Sequence, residues 1–388
     1  MLSRPQSWRA FVLAVAFALL VALPVSAARR EGSRAAFIVV LNDSVGSAGP
    51  VAAEHARRFR AEVSYVYAHA LKGYAATLSE DQLGALASDA RVDFIERDAT
   101  VTAVTTQTSA TWGIDRIDQR SLPLSGTFTY ANTGAGVRAY IIDTGIRISH
   151  SEFGGRAIDG YDAVDGTLPA ADCNGHGTHV SGTVGGATYG VAKAVTLVAV
   201  RVLGCAGSGT ISGVIAGIDW VTADHAAGQA AVANMSLGGS ASSALDAAVR
   251  NSIADGVSYA VAAGNGNVAG IAQNGCKYSP ARVTEAMTIG ATDQTDKKAS
   301  WSNYGDCVDW FAPGVGISSA WSTGDSATNT ISGTSMATPH TTGVAALYLQ
   351  SNPSASPAAL RDALYNLTTK GIVTSSRTAN NHLLYTNS

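Results

Sequence analysis

Charge is scarce in this chain. Of its 388 residues 14% are charged, and 26 basic against 29 acidic residues leave a formal net charge of -3. No basic stripe stands out, which argues against nucleic acid as a partner. Cysteine is sparse as well: there are four, with no CxxC pair among them, so the spacing of a structural zinc site is missing. Long apolar runs are limited to one, FVLAVAFALLVAL at residues 11–23. It falls short of the ~20 residues that span a bilayer and does not read as an anchor. With Arg4 and Arg9 before it and the small residues Val25 and Ala27 after it, it reads as a secretory signal peptide over residues 1–27. Three reaction signatures are absent too. There is no HExxH of a zinc peptidase, and GTSMA carries Ala337 where an esterase GxSxG elbow needs glycine. Asp143-Thr144-Gly145 has no second copy, so it cannot supply the proton-sharing carboxylate pair of an aspartic peptidase.

What is present suits a compact exported enzyme with a sizeable core: 46% hydrophobic residues and 41 glycines. Export puts Cys173, Cys205, Cys276 and Cys307 in an oxidising compartment, where two disulfides are expected in any of three connectivities. Residues 28–104 form a small segment. AAFIVVLND (35–43) reads as a strand, 49–63 has helical spacing, and 64–79 is strand-like. Ser79-Glu80-Asp81-Gln82 fits a capping box opening a helix over DQLGALASDA, and VDFIERDATVTA returns as a strand. That β-α-β-β-α-β order is a ferredoxin-like module. The Thr/Ser-rich stretch 100–112 reads as a cleavable linker.

Residues 105–388 alternate continuous apolar runs with amphipathic ones. VRAYIID (137–143), TLVAVRVL (196–203), VANMSL (232–237), VSYAVAA (257–263) and EAMTIGA (285–291) read as strands buried on both faces of a parallel sheet. Helical stretches between them (211–226 and 243–254) complete a three-layer α/β/α domain, in which sites gather beyond the carboxyl ends of strands. Asp143 ends the first such strand. DCNGHGTHVSG (172–182) holds His176 and His179, and ISGTSMATPH (331–340) places Ser335 where a loop enters a long helix, with Pro339 close to its first turn. A serine there sits in the positive field of the helix N-terminus. Together these supply a nucleophile, a base and an acid to orient that base, in the order Asp, His, Ser.

DTG, NGHGTHVSGTVGG, ANMSLGG, AAGN and SGTSMATPH, in this order, resemble the subtilisin-like serine peptidases. WGIDRIDQRSLPLS, EFGGR, YGVAK, SPARVTEA and SNYGDCVDWFAPG make the proteinase K branch, and within it the aqualysin-type secreted bacterial enzymes, the nearest resemblance. It covers residues 105–388, and 28–104 looks like the family's inhibitory and chaperone propeptide. The resemblance implies a secreted, self-processing, monomeric endopeptidase with Asp143, His176 and Ser335 as its triad and Asn265 as the oxyanion-hole side chain. His179 is then structural. Protein and peptide substrates would pair with Ser236, Leu237 and Gly238 on one side and Gly207, Ser208 and Gly209 on the other. Ala262, Ala263 and Gly264 would wall the pocket for the residue before the cut, giving a broad, apolar-leaning preference. No catalytic metal and no membrane contact after signal removal are implied. The pairings implied are Cys173–Cys205 and Cys276–Cys307. Structural calcium is implied at Thr284, Ala286 and Asp309, and again at Asp115, Asp118, Gln119 and Ser125. The mature chain would start at Thr105, with residues 101–104 (VTAV) lying in the cleft before cleavage.

Overall fold

The computed structural model of the chain describes residues 33–99 and 104–387. The expected signal peptide, and residues 101–103 of the expected cleavage segment, lie outside them. The chain divides into two compact units between Val101 and Thr102.

The first unit runs β1 (Arg34–Leu41), α1 (Ala48–Phe59), β2 (Glu62–Tyr67), β3 (Gly73–Ser79), α2 (Leu83–Ala87) and β4 (Val92–Arg97). Its antiparallel sheet has the order β2-β3-β1-β4, which matches the expected ferredoxin-like module. Alternate residues of β1, Phe37, Val39 and Leu41, are buried with Val51, Ala52 and Phe59 of α1, the period-two pattern of a sheet covered on one face. Two local expectations are corrected. The helix read over 49–63 ends at Phe59, because Arg60 turns left-handed (φ 49) and β2 starts at Glu62. Ser79 makes no side-chain cap bond, and a single 3-10 turn, Glu80–Gln82, precedes the short α2, so the capping box is not formed.

The second unit opens with β5 (Thr105–Thr108), α3 (Trp112–Ile117) and β6 (Thr127–Tyr130), then β7 (Arg138–Asp143), β8 (Ala157–Asp162), α4 (His176–Gly185) and β9 (Thr196–Arg201). It continues with α5 (Ile211–Asp224), β10 (Ala231–Met235), β11 (Gly239–Ser240), α6 (Ser243–Asp255), β12 (Ser258–Ala262), β13 (Tyr278–Ser279) and β14 (Met287–Thr292). β15 (Trp310–Pro313), β16 (Ile317–Ala320), β17 (Thr328–Ile331), α7 (Thr334–Ser351) and α8 (Pro357–Leu367) finish it. Seven strands make the central sheet, β15-β14-β12-β10-β7-β9-β8, with every neighbouring pair parallel. Successive residues of β7 serve opposite layers. Ala139 and Ile141 pack with Val180 and Val184 of α4 and Ala337 and Val344 of α7. Tyr140 and Ile142 pack with Val214 and Ile218 of α5 and Leu245 and Val249 of α6. Both faces are covered, which is why these strands read as unbroken apolar runs. The stretch read as a linker is not all linker: Thr105–Thr108 pairs antiparallel with β6, since β-branched threonine suits an extended ladder. Among the described residues no helix is long and apolar enough to cross a membrane.

Candidate active site

The sheet brings the site residues to the carboxyl ends of β7, β10 and β12, where a parallel sheet leaves its crevice. Asp143 is the last residue of β7 and has no exposed surface. Its Oδ1 accepts from His176 Nδ1 at 2.7 Å and from Thr144 N at 2.7 Å. His176 opens α4, and its place is set by close packing beneath it. A Cβ at Gly177 would lie 2.1 Å from the Gly145 carbonyl, so only glycine lets the first turn of α4 rest on the loop after Asp143. Asp172 locks that turn. It accepts from Thr144 Oγ1 (2.9 Å), Gly175 N (2.8 Å) and Thr178 N (2.9 Å), while Thr144 Oγ1 accepts from Gly177 N (2.9 Å).

Burial works against a charged His176 ring. The Asp143 carboxylate, by its charge and its hydrogen bond, and Asp172 by its charge outweigh this and hold the pKa above the ordinary value. His179, one turn along, behaves differently. It is buried, its Nε2 meets the Ile317 carbonyl at 3.0 Å, and desolvation drives its pKa down to about 4, so it is a neutral packing residue.

Ser335 is the second residue of α7, and its Oγ donates to the Ser236 carbonyl at 3.0 Å. Pro339 lies inside the helix, four residues on. Lacking an N–H, it leaves the Ser335 carbonyl without its helical donor. Ser236 Oγ fills that vacancy at 2.8 Å, itself accepting from Asn234 Nδ2 at 2.9 Å, and Thr342 Oγ1 donates to Asn234 Oδ1 at 2.9 Å. Beside it, Asn265 Oδ1 accepts from Thr334 N (2.8 Å) and Thr334 Oγ1 (2.9 Å). With its oxygen so held, the amide Nδ2 of Asn265 remains as a donor next to the serine.

Two cavities meet at Ser335. The first, of about 450 Å³, is lined by His176, Gly207, Ser208, Gly209, Ser236 and Leu237, with Ile211, Val214 and Leu245 giving it apolar walls. The second, of about 290 Å³, is lined by Leu237, Gly238, Ala262, Ala263, Gly264 and Asn265, and no charged side chain faces it. All the substrate-side residues expected from sequence therefore line one or both. Thr334 and Asn234 were not singled out by sequence. Pro339 was the available signal, since a proline inside a helix frees the carbonyl four residues back.

Both disulfides implied by the resemblance are formed. Cys173 bonds Cys205 and Cys276 bonds Cys307, with Cα separations of 5.0 and 5.5 Å. They close loops of 32 and 31 residues, and chain entropy gives each about 3–4 kcal/mol. Replacing both Cys276 and Cys307 by serine should therefore lower the melting temperature of the inhibited mature enzyme by several degrees. An unchanged melting temperature would count against that role.

The two calcium sets fare differently. Asp309 pairs with the Arg361 guanidinium through Oδ1 and accepts from Thr288 N at 2.7 Å through Oδ2, so protein groups already use both oxygens. At Thr284, Ala286 and Asp309 the implied ion would therefore compete with a cation of the protein's own, Arg361. In the second set Asp115 accepts from Ser125 Oγ (2.9 Å), Gln119 Oε1 from Ser125 N (3.0 Å) and Asp118 Oδ2 from Thr129 N (2.7 Å). Asp118 Oδ1 is buried without a partner. Burial, aided by the charge of Asp115, pushes the Asp118 carboxyl up to about 6 against the pull of Thr129. Nearby Arg116 offers no relief, because it is spent on Asp296 at 2.7 and 3.0 Å. An orphaned carboxylate oxygen among further oxygen donors fits a hard cation. Among the described residues, no cluster of three or more His, Cys, Asp or Glu forms a metal site.

A carboxylate-oriented imidazole in one cavity with a helix-terminal serine can perform nucleophilic acyl transfer. The subtilase family (peptidase S8) matches residues 134–384, and peptidase inhibitor I9 matches residues 36–103. The extracellular serine proteinase of Thermus sp. (strain Rt41A) is 58% identical over 84% of this chain and 78% of its own length. Alkaline serine exoprotease A of Vibrio alginolyticus is 53% identical over 84% of this chain, which spans 60% of that relative. A cold adapted subtilisin-like serine proteinase of known crystal structure superposes with a TM-score of 0.69 at 52% identity, covering 72% of this chain and 100% of that one. The chain belongs to the subtilase family of serine proteinases, with an inhibitor-type α/β unit ahead of the peptidase.

Proposed function

We propose that this secreted serine proteinase is a broad, apolar-leaning endopeptidase that uses Asp143, His176 and Ser335 and frees itself from its own residues 28–104. The observation that carries the reading is the 2.7 Å Asp143–His176 bond at the cavity that Ser335 lines. Ser335 Oγ leaves its resting bond to Ser236 and attacks the substrate carbonyl carbon as His176 Nε2 takes its proton. Asp143 stabilises the imidazolium that results. Ser335 N–H and Asn265 Nδ2 receive the developing oxyanion. His176 then protonates the leaving amine, and water repeats the sequence on the acyl-enzyme. Backbone pairing with residues 207–209 and 236–238 carries little side-chain information, so many sequences are accepted, and uncharged walls at 262–264 favour apolar side chains. The enzyme acts as a monomer, with residues 1–27 as signal peptide and 105–388 as the mature peptidase. A fluorophosphonate should label Ser335 of the secreted product, and that product should digest casein. An unlabelled Ser335, or intact casein, overturns the reading.

Calcium held by Asp115, Asp118, Gln119 and Ser125 supplies charge neutralisation at a structural site and takes no part in the chemistry. Because it binds the folded state, chelation should lower the melting temperature more than the initial rate. Asp118→Asn should erase the calcium-dependent rise in melting temperature while keeping the metal-free value equal or higher. Thermal unfolding of both forms with calcium and with EDTA decides this, and a persistent shift in the variant refutes the assignment.

A further inference from the structure

Asn265 sits in a stretch without regular secondary structure that leaves β12, carries Val268 out into solvent and comes back by Gln273. Thr334 fixes its side chain, but its backbone needs another anchor. Asn303 is 3% exposed and provides one. Its Nδ2 donates to the Ala263 carbonyl at 2.8 Å, and its Oδ1 accepts from Gly266 N at 3.0 Å and Gln273 N at 2.8 Å. Its own N–H donates to the Gly264 carbonyl at 2.9 Å. Peptide groups on both sides of Asn265, and both ends of the excursion, therefore converge on one residue. The approach is close: Gly264 has φ +98, and a Cβ there would lie 2.5 Å from Asn303 Nδ2. Only an amide places a donor at one end and a two-bond acceptor at the other.

We propose that Asn303 is a positioning residue for catalysis, holding the backbone around Asn265 so that the Asn265 amide meets the oxyanion. The inference rests on the oxyanion role given above to Asn265. Such a donor acts only when it stands 2.7–3.1 Å from where the charge develops. A slack clamp loses transition-state binding while ground-state binding along residues 236–238 persists.

Asn303→Asp turns the Nδ2 donor into an acceptor facing the Ala263 carbonyl. It is compared with Asn265→Ala and with the double variant, as mature enzymes whose active sites are counted by fluorophosphonate titration. Expected is a kcat roughly tenfold to hundredfold lower for Asn303→Asp, with KM little changed, since a misplacement of about 1 Å costs that order. In the Asn265→Ala background the same change should alter kcat less than about twofold, because the two act as a unit. An equal loss in both backgrounds, or no loss in either, overturns the proposal. An Asn265→Ala enzyme with undiminished kcat overturns the oxyanion reading itself, and the proposal with it. Should Asn303→Asp fail to mature, Gly264→Ala displaces the same amide by contact. It is expected to show the same loss, cancelled in the Asn265→Ala background, and an uncancelled loss again refutes the clamp.

Discussion

Ser335→Ala is expected to leave the cell as a full precursor that still contains residues 28–104 and does not hydrolyse casein. The cut after Val104 is assigned to the domain's own serine, so deleting one oxygen atom should stop maturation and turnover together. The expected fall in kcat is about 10⁶-fold, a magnitude taken from subtilisin, a member of the same family. Folding should survive, because the group removed is small and its partner, the Ser236 carbonyl, lies at an open cavity. Intact mass of the secreted product reads the first effect, and a casein assay reads the second. Normal maturation of a pure Ser335→Ala protein would sink self-processing, and residual casein hydrolysis at the wild-type rate would sink the nucleophile assignment.

Asp143→Asn should cost about 10⁴-fold in kcat, because an amide cannot stabilise the imidazolium and can hold the wrong tautomer. It should also move the pH profile, and the sign follows from the causes of the His176 shift. On the proposed mechanism the neutral ring is the base, so activity should be lost as pH falls through a pKa raised above its ordinary value. Asp143→Asn removes a charge and a charged hydrogen bond that raise it. Burial, which lowers it, stays, and only the charge of Asp172 remains on the other side. The acid limb of kcat/KM should therefore shift to lower pH in the variant. A limb that stays put would mean that His176 does not titrate against Asp143.

The parts of this molecule that could be read from its sequence are those with a repeating physical cause. Strands covered on both faces must be apolar throughout, so β7, β9, β10, β12 and β14 were legible within a residue or two. β8 escaped because AIDGYD is an edge strand, bulged between Asp159 and Tyr161 and carrying polar residues. β15 escaped because WFAP is short and ends in proline. Ser79 had the right neighbours for a cap, yet its residue type did not decide its geometry. In the site, the groups taken to do chemistry stood in recognisable strings. Those that hold them, Asn234, Thr334 and Asn303, stand inside such strings too (ANMSLGG, SGTSMATPH and SNYGDCVDWFAPG), yet as single polar residues whose partners the strings do not reveal. Their meaning lies in which buried carbonyl or N–H each one meets, and that is a property of the packed fold.

Pro339 carries the last consequence. By withholding an N–H it hands the Ser335 carbonyl to Ser236, whose own carbonyl takes the resting Ser335 hydroxyl. Two bonds running in opposite directions thus latch the proposed nucleophile to the segment proposed to seat the peptide. A flaw in an 18-residue helix becomes a registration mark between helix and sheet. The height of the hydroxyl above the sheet is thereby set at one residue of the neighbouring segment and not by the length of helix behind it.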